Sequence, residues 1–314
     1  MYEAFYGLTE KPFSILPDPA YLYFGEQHSL AYTMLEYGLE HRAGFTVVTG
    51  NVGCGKSTLV RHLFNNFEQD INIGVISHTH REIGELLKWV LLSFEQPYEA
   101  RDKVALFDQL RRFLSHEYKR GRRSALIIDE AQNLSAETLE ELRMLSNINS
   151  ETGQLLQLVL VGQPQLKELL RHPDMEQFSQ RVSVDFHIDP LPAAEVGSYI
   201  NHRLAVAGRD EPVFDDAAIL RISHVTEGTP RKINILCDTA LVYGYSLDAS
   251  LITVDIIEQV MKDKERYGVF GPALEESQPT AVQPRPNRSI QLAVSDEEIA
   301  RQLFPSLSRK KNNT

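Results

Sequence analysis

The sequence has little cysteine and no long apolar segment, and both shortages narrow what the protein can be. Cys54 and Cys237 are its two cysteines in 314 residues, which suggests neither a disulfide framework nor a cysteine-based metal site. No apolar run approaches the roughly 20 residues of a membrane-spanning helix, and the first residues lack the basic and apolar regions of a signal peptide. We therefore expect a cytoplasmic protein, for which any association with the inner membrane would come through a partner.

Positive charge is also scarce, since 32 Lys and Arg stand against 43 Asp and Glu, a formal net charge of −11. This balance excludes a protein that binds nucleic acid non-specifically over its whole surface, but it is compatible with a local basic patch that binds nucleic acid. One dense basic cluster is present, and it contains Arg111, Arg112, Lys119, Arg120, Arg122 and Arg123. It is either a set of solvated helix ends or a contact to duplex DNA.

What the sequence does contain is a glycine-rich loop between an apolar run and a helical pattern. The loop reads Gly50, Asn51, Val52, Gly53, Cys54, Gly55, Lys56, Ser57 and Thr58. This is the pattern G-x4-G-K-[ST], in which backbone N–H groups and a helix N-terminus face the phosphates of a nucleotide. Lys56 is expected to reach the β- and γ-phosphates, and the Ser57 hydroxyl is expected to bind Mg²⁺. We predict that the loop binds a nucleoside triphosphate.

A second motif is the acidic pair Asp129 and Glu130, which directly follows the apolar residues 125–128. An acidic residue at the end of a buried strand lies beside the phosphate loop, because ligands gather at the carboxyl ends of strands in open α/β sheets. We expect Asp129 to hold the Mg²⁺ shell and Glu130 to orient and deprotonate the attacking water.

Apolar strand patterns alternate with helical patterns as far as residue 190, at 45–49, 71–77, 125–128, 156–161 and 182–188. This alternation predicts an α/β fold with a five-stranded parallel sheet and helices on both faces. We expect the nucleotide-binding domain over 45–190 and a small helical domain over 191–267. Residues 268–314 are rich in Pro, Glu, Ser and Gln and predict a flexible tail. A short helix near 295–304 either docks on a partner or is part of a partly ordered tail.

Residues 1–44 carry many aromatic residues between prolines, and two interpretations stay open. The segment lines the base and ribose of the nucleotide, or it is a brace packed on the core of the nucleotide-binding domain. Aromatic pockets and aromatic cores look alike in a sequence.

Together these motifs resemble the AAA+ ATPases, a P-loop NTPase fold in which a helical lid follows the sheet. Within them the sequence is similar to the ExeA/GspA-type ATPases of secretion and pilus-assembly systems and to the related TniB/TnsC transposition ATPases. The likeness covers about residues 1–265. Besides the two nucleotide motifs it depends on residues 5–8, 11–13, 17–23, 162–166, 180–182 and 228–234. ExeA-type proteins commonly continue into a transmembrane segment and a peptidoglycan-binding region. This sequence contains neither, and that departure from the family weakens the case for a cell-wall role.

The resemblance implies three further roles. Gln163 stands at the position of the first sensor, which contacts the γ-phosphate or the water; the alternative is a turn residue before Pro164. Arg231 stands at the second sensor, on a lid helix, and the alternative is a surface arginine. Arg181 is the candidate arginine finger that acts on a neighbouring subunit's ATP, with Arg171 as the second choice. A finger given in trans makes activity depend on assembly, so we expect a ring or open helix of about six subunits per turn.

The resemblance thus implies a homo-oligomeric, Mg²⁺-dependent ATPase whose partner is left open. One candidate is a protein of a secretion, pilus or exopolysaccharide export system. Another is duplex DNA, on which the protein recruits a transposase, and a third is a nucleotide-gated scaffold with little turnover. His78 and His80 lie two residues apart, but no third ligand is near them, so zinc is not expected.

Overall fold

The computed structural model describes residues 1–41, 43–66, 71–77, 85–99, 102–150 and 153–267. The predicted tail over 268–314, with its helix near 295–304, lies outside these residues, as do His78 and His80. None of the helices that the structure describes is both long and apolar enough to cross a membrane.

Five strands form one parallel sheet in the order β2-β3-β6-β1-β7, and β4 and β5 form a separate short antiparallel pair. The predicted five-stranded parallel sheet is confirmed. Its central strands are buried on both faces, as their unbroken apolar sequences require. The seven strands are β1 Phe45–Gly50, β2 Ile71–Ile76, β3 Arg123–Ile128, β4 Asn149–Ser150, β5 Gly153–Gln154, β6 Gln157–Gly162 and β7 Val182–Ile188.

Helices cover both faces of the sheet, and further helices follow its last strand. Several begin at a side chain that caps free backbone N–H groups: Ser135 accepts from the N–H of Thr138, as predicted, and Asp215 accepts from that of Ala218. The α-helices are α1 Tyr2–Phe5, α2 Glu26–Glu40, α3 Lys56–Asn66, α4 Leu86–Ser93, α5 Lys103–Lys119, α6 Ala136–Leu145, α7 Gln165–Leu170, α8 Glu176–Ser179, α9 Ala193–Val206, α10 Asp216–Thr226, α11 Pro230–Ser246 and α12 Val254–Tyr267.

The helices α9 to α12 form a bundle with its own hydrophobic core, and the start of the chain belongs to that core. Tyr2, Tyr6, Phe13 and Tyr21 are buried among the bundle's apolar side chains. We expected residues 1–44 to pack on the ATPase core. In the structure Leu22 and the buried face of α2 contribute to the sheet's core, whereas Tyr23 and the aromatic residues before Leu22 pack on the bundle. An aromatic pattern shows that a segment is buried but not which core buries it.

Candidate nucleotide-binding site

The glycine-rich loop leaves the carboxyl end of β1 and enters α3, at the edge where ligands collect in parallel sheets. Gly50 lies so close to β7 that a Cβ on it would stand 2.5 Å from the carbonyl oxygen of Ile188. Gly53 has a φ of +83°, and a Cβ there would stand 2.4 Å from the Cβ of Arg231. Both positions therefore require glycine, and the loop keeps its backbone N–H groups unobstructed.

Lys56 is the first residue of α3 and is buried, with 7% of its surface exposed. Its ammonium donates to the carbonyl oxygens of Gly50 (2.8 Å) and Asn51 (2.9 Å). Burial lowers the pKa of Lys56, and the nearby acidic groups, Glu130 among them, oppose that shift. The ammonium thus lies inside the loop, beside acceptors that phosphate oxygens can replace.

Oxygen donors for a cation converge next to this ammonium. The Ser57 hydroxyl donates to Asp129 Oδ2 at 2.6 Å, and Asp129 Oδ1 accepts the backbone N–H of Glu130 at 2.9 Å. A hydroxyl beside a carboxylate fits Mg²⁺, which takes one or two protein oxygens and completes its shell with water and phosphate. No group of three or more His, Cys, Asp or Glu residues within the described chain is placed to hold a metal by itself.

Glu130 is held at the edge of the site by two glutamines. Its backbone is left-handed (φ 54°), a conformation unusual for glutamate and common at functional sites. Gln132 Nε2 donates to Glu130 Oε2 at 2.5 Å, and Gln163 Nε2 donates to the same oxygen at 3.1 Å. Gln132 Oε1 in turn accepts the backbone N–H of Gln163 at 2.9 Å. The ends of β3 and β6 are therefore joined through the carboxylate.

Comparison with known proteins agrees with this geometry. Residues 39–170 match the sequence profile of the AAA domain family. The chain carries an AAA domain. It is also 39% identical over 247 residues to the general secretion pathway protein A of Aeromonas hydrophila, a match that covers 78% of this chain and 45% of the relative. The resemblance to the ExeA/GspA-type ATPases is confirmed, although the chain spans less than half of that relative's length.

Solved structures share the fold at low sequence identity. Cdc6p from Pyrobaculum aerophilum has a TM-score of 0.63 at 14% identity, with 79% of this chain and 71% of that chain covered. The Aeropyrum pernix ORC2 protein, solved in ADPNP–ADP complexes, has a TM-score of 0.59 at 16% identity, with 75% of this chain and 66% of that chain covered. At these identities the likeness establishes the P-loop AAA+ fold and nothing finer.

A cavity of about 220 Å³ extends from the phosphate loop of the AAA domain to the helical bundle. The predicted site residues that line it are Val52, Gly53, Gly55, Lys56, Ser57, Thr58, Glu130 and Arg231. Its lining does not include Gly50, Asn51, Cys54, Asp129 or Gln163. Arg231 is the second residue of α11, and its backbone N–H donates to the carbonyl oxygen of Gly53 at 3.1 Å. The other walls come from the bundle and from the start of the chain: Ser14, Ile15, Leu16, Pro17, Asp18, Tyr21, Leu22, Tyr23, His28, Leu191, Tyr199, Arg203, Pro230 and Asn234.

Arg181 lies far from this cavity. It precedes β7, whose first residue pairs with Phe45 at the start of β1, whereas the phosphate loop follows the end of β1. The position of Arg181 along the sheet is therefore separated from the phosphate loop by the length of five strand residues, about 16 Å. Its guanidinium donates to the hydroxyl of Ser146 at 3.2 Å and to the side-chain oxygen of Asn147. Arg171 is exposed at the end of α7.

The basic cluster is largely engaged within the chain. Arg111 and Arg112 both pair with Asp108. Arg122 pairs with Glu117, and this pairing lowers the pKa of that carboxyl to about 2. Arg123 donates to the carbonyl oxygen of Leu39. The interpretation as solvated and paired helix ends therefore has more structural support than a DNA-binding patch.

His28, which the sequence did not single out, supports the loop from behind. Its Nε2 lies 2.9 Å from the carbonyl oxygen of Cys54 and donates to it. The residue is 3% exposed, and burial lowers its pKa, with Glu195 acting in the opposite direction. Nδ1 is buried without a hydrogen-bond partner among the described residues. The folded chain therefore favours a neutral ring with its proton on Nε2.

This burial predicts a loss of stability in mild acid. Below the ordinary histidine pKa of about 6.5 the unfolded chain takes up a proton that folded His28 resists. The free energy of unfolding should therefore fall as the pH is lowered from 7 to 5. His28→Gln keeps an N–H donor and removes the titration, so its denaturant-derived stability should depend less on pH. The pKa values of His187 and His202 are also lowered by burial. These two residues should account for the pH dependence of stability that remains in the variant. An unchanged slope in the variant would contradict this role.

Proposed function

We propose that this protein is an Mg²⁺-dependent ATPase that works as a homo-oligomer in a secretion, pilus or related export system. The observation that carries the proposal is the convergence of Lys56, the Ser57–Asp129 pair and Glu130 at one end of the sheet, beside a cavity that the helical bundle completes. We propose 45–190 as the ATPase domain, 191–267 as its lid and 268–314 as a tail.

Nucleotide binding would replace contacts that the loop now makes with itself. The Lys56 ammonium would exchange two loop carbonyls for β- and γ-phosphate oxygens, and the N–H groups of residues 50–58 and the N-terminus of α3 would face the same phosphates. Arg231 stands at the mouth of the loop on a helix of the bundle. It would add positive charge on the triphosphate and make the position of the bundle depend on the γ-phosphate.

Hydrolysis would depend on Glu130 and the two glutamines that hold it. Bound Mg²⁺, held by Ser57 and Asp129, would neutralise phosphate charge. Glu130 would accept the proton of the attacking water, and Gln163, already within hydrogen-bond distance of that carboxylate, would orient the water or contact the γ-phosphate. These groups act by position and charge, as phosphoryl transfer requires.

The arrangement also favours catalysis between subunits. Arg181 is about 16 Å of strand away from its own phosphate loop, so it can serve as a finger only for a neighbour's ATP. A ring or open helix would supply that neighbour.

The role in export derives from the relative named general secretion pathway protein A. The alternative, recruitment of a transposase on duplex DNA, has less support because Arg111, Arg112, Arg122 and Arg123 are engaged within the chain.

Phosphate release from ATP tests the proposal. We expect a rate per subunit that rises with protein concentration, falls to background in EDTA and does not respond to duplex DNA. Turnover at background at every concentration, with ATP still bound, would favour the nucleotide-gated scaffold. Strong stimulation by DNA at low salt, lost at high salt, would favour the transposition-type role.

A further inference from the structure

Arg203, on α9, is a buried cation in the wall of the nucleotide cavity. It is 6% exposed, and no carboxylate of the described residues lies within ion-pair distance of it. A charged group in that position needs other compensation. The Tyr21 ring lies 4.7 Å from the guanidinium carbon and the Tyr199 ring 5.8 Å from it, which supplies cation–π contacts.

The guanidinium holds the start of the chain through backbone carbonyls. Its Nε donates to the carbonyl oxygen of Pro12 at 2.5 Å, and a terminal nitrogen donates to that of Ser14 at 3.3 Å. Its other terminal nitrogen donates to the Tyr199 hydroxyl at 3.1 Å. Ser14 directly precedes residues 15–18, and all five residues line the cavity.

The same carbonyl is held from a second helix. Asn234 of α11 donates to Ser14 O at 3.4 Å and accepts the Tyr199 hydroxyl at 2.8 Å. Two side chains from two helices of the bundle therefore hold one stretch of irregular backbone, and the Tyr199 hydroxyl links the two side chains. That backbone has no other regular structure until the short 3₁₀ turn Pro19–Tyr21.

We propose that Arg203 is a positioning residue for nucleotide binding, which sets residues 15–23 as the wall that receives the base and ribose. This inference rests on the proposed function. Phosphates anchored at Lys56 leave the nucleoside to extend along the cavity. Its lining there includes the aliphatic and aromatic side chains of Ile15, Leu16, Tyr21 and Tyr23, beside polar ones such as Asp18 and Asn234. Residues 15–18 of the wall belong to no strand or helix, so their position depends on the carbonyls that Arg203 binds.

Arg203→Lys is the direct test, because lysine keeps the charge but cannot donate in the three directions of the guanidinium fork. Affinities for ATP, ADP and inorganic tripolyphosphate are measured by calorimetry or by displacement. We expect the affinities for ATP and for ADP to fall by the same factor, about 10-fold. This is the loss expected when one charged hydrogen bond is removed. Tripolyphosphate, which has no base or ribose, should bind within twofold of the wild type.

Arg209→Lys is the matched control, because Arg209 also donates to a backbone carbonyl near the start of the chain, that of Tyr6, at 2.6 Å. Neither Arg209 nor Tyr6 lines the cavity. This control should leave all three affinities within twofold. Asn234→Ala gives a second route if Arg203→Lys does not fold, with a smaller loss, about threefold, shared by ATP and ADP.

The positioning role would be overturned if Arg203→Lys and Asn234→Ala both bound ATP and ADP with wild-type affinity. It would also be overturned if Arg203→Lys weakened the binding of tripolyphosphate as much as that of ATP. A wild-type protein that binds no nucleotide would overturn the proposed function instead, so the two failures are distinguishable.

Discussion

Glu130→Gln is expected to lower ATP turnover by about 10² to 10⁴, the usual contribution of a general base, while ATP binds within about twofold of the wild type. Two amides donate to Glu130 Oε2, and the glutamine oxygen can still accept them, so the local structure should persist. What the variant loses is a group that takes a proton from water. Single-turnover hydrolysis and equilibrium binding, measured on the same preparation, separate the two effects.

The matched control for this prediction is Glu137→Gln, on the exposed face of α6 and outside the cavity. It removes the same charge and should retain full turnover. Hydrolysis at the wild-type rate in Glu130→Gln would show that another group activates the water. Equal losses in both variants would point to net charge as the cause.

Arg181→Ala is expected to lower the turnover of the assembled protein by about 10³ or more, within the range measured for fingers supplied in trans. Arg181 lies at the far end of β7 from the phosphate loop, so ATP affinity of the isolated subunit should not change. Phosphate release is compared below and above the concentration at which the wild type assembles. Arg171→Ala tests the second candidate in the same assay and should retain the stimulated rate if Arg181 is the finger.

A mixing experiment makes the prediction sharper. Arg181→Ala subunits keep Glu130, and Glu130→Gln subunits keep Arg181, so each variant lacks a different half of a shared site. Co-assembly should restore part of the activity that neither variant has alone. Full stimulated turnover in Arg181→Ala by itself would assign the finger to another residue, with Arg171 next to be tested.

The sequence was sufficient for those parts of the site that lie close together along the chain. The glycine loop needs only a preceding strand and a following helix, and Asp129 with Glu130 needs only a buried strand before it. Parallel strands then bring the two motifs to one edge of the sheet. The five-stranded sheet was predictable for the same reason, because each of its strands is a short apolar or alternating run between helical patterns.

What the sequence could not give depends on contacts between distant segments. Arg203 looks like any arginine in a helical pattern, and only the fold brings it to the carbonyls of Pro12 and Ser14, about 190 residues earlier. His28 likewise gains its role from the distant Cys54 carbonyl. The aromatic residues at the start of the chain indicated burial. That they pack on the helical bundle depends on the tertiary structure, which composition does not predict.

The central claim is that Mg-ATP binds at Lys56, and titration calorimetry tests it most directly. Wild-type protein should bind about one ATP per subunit in the presence of Mg²⁺, and Lys56→Ala, with the fold retained by circular dichroism, should bind at least about 100-fold more weakly, since it removes a buried charge that phosphate oxygens would neutralise. Equal affinity in the two proteins, or no uptake of ATP by the folded wild type, would contradict the account.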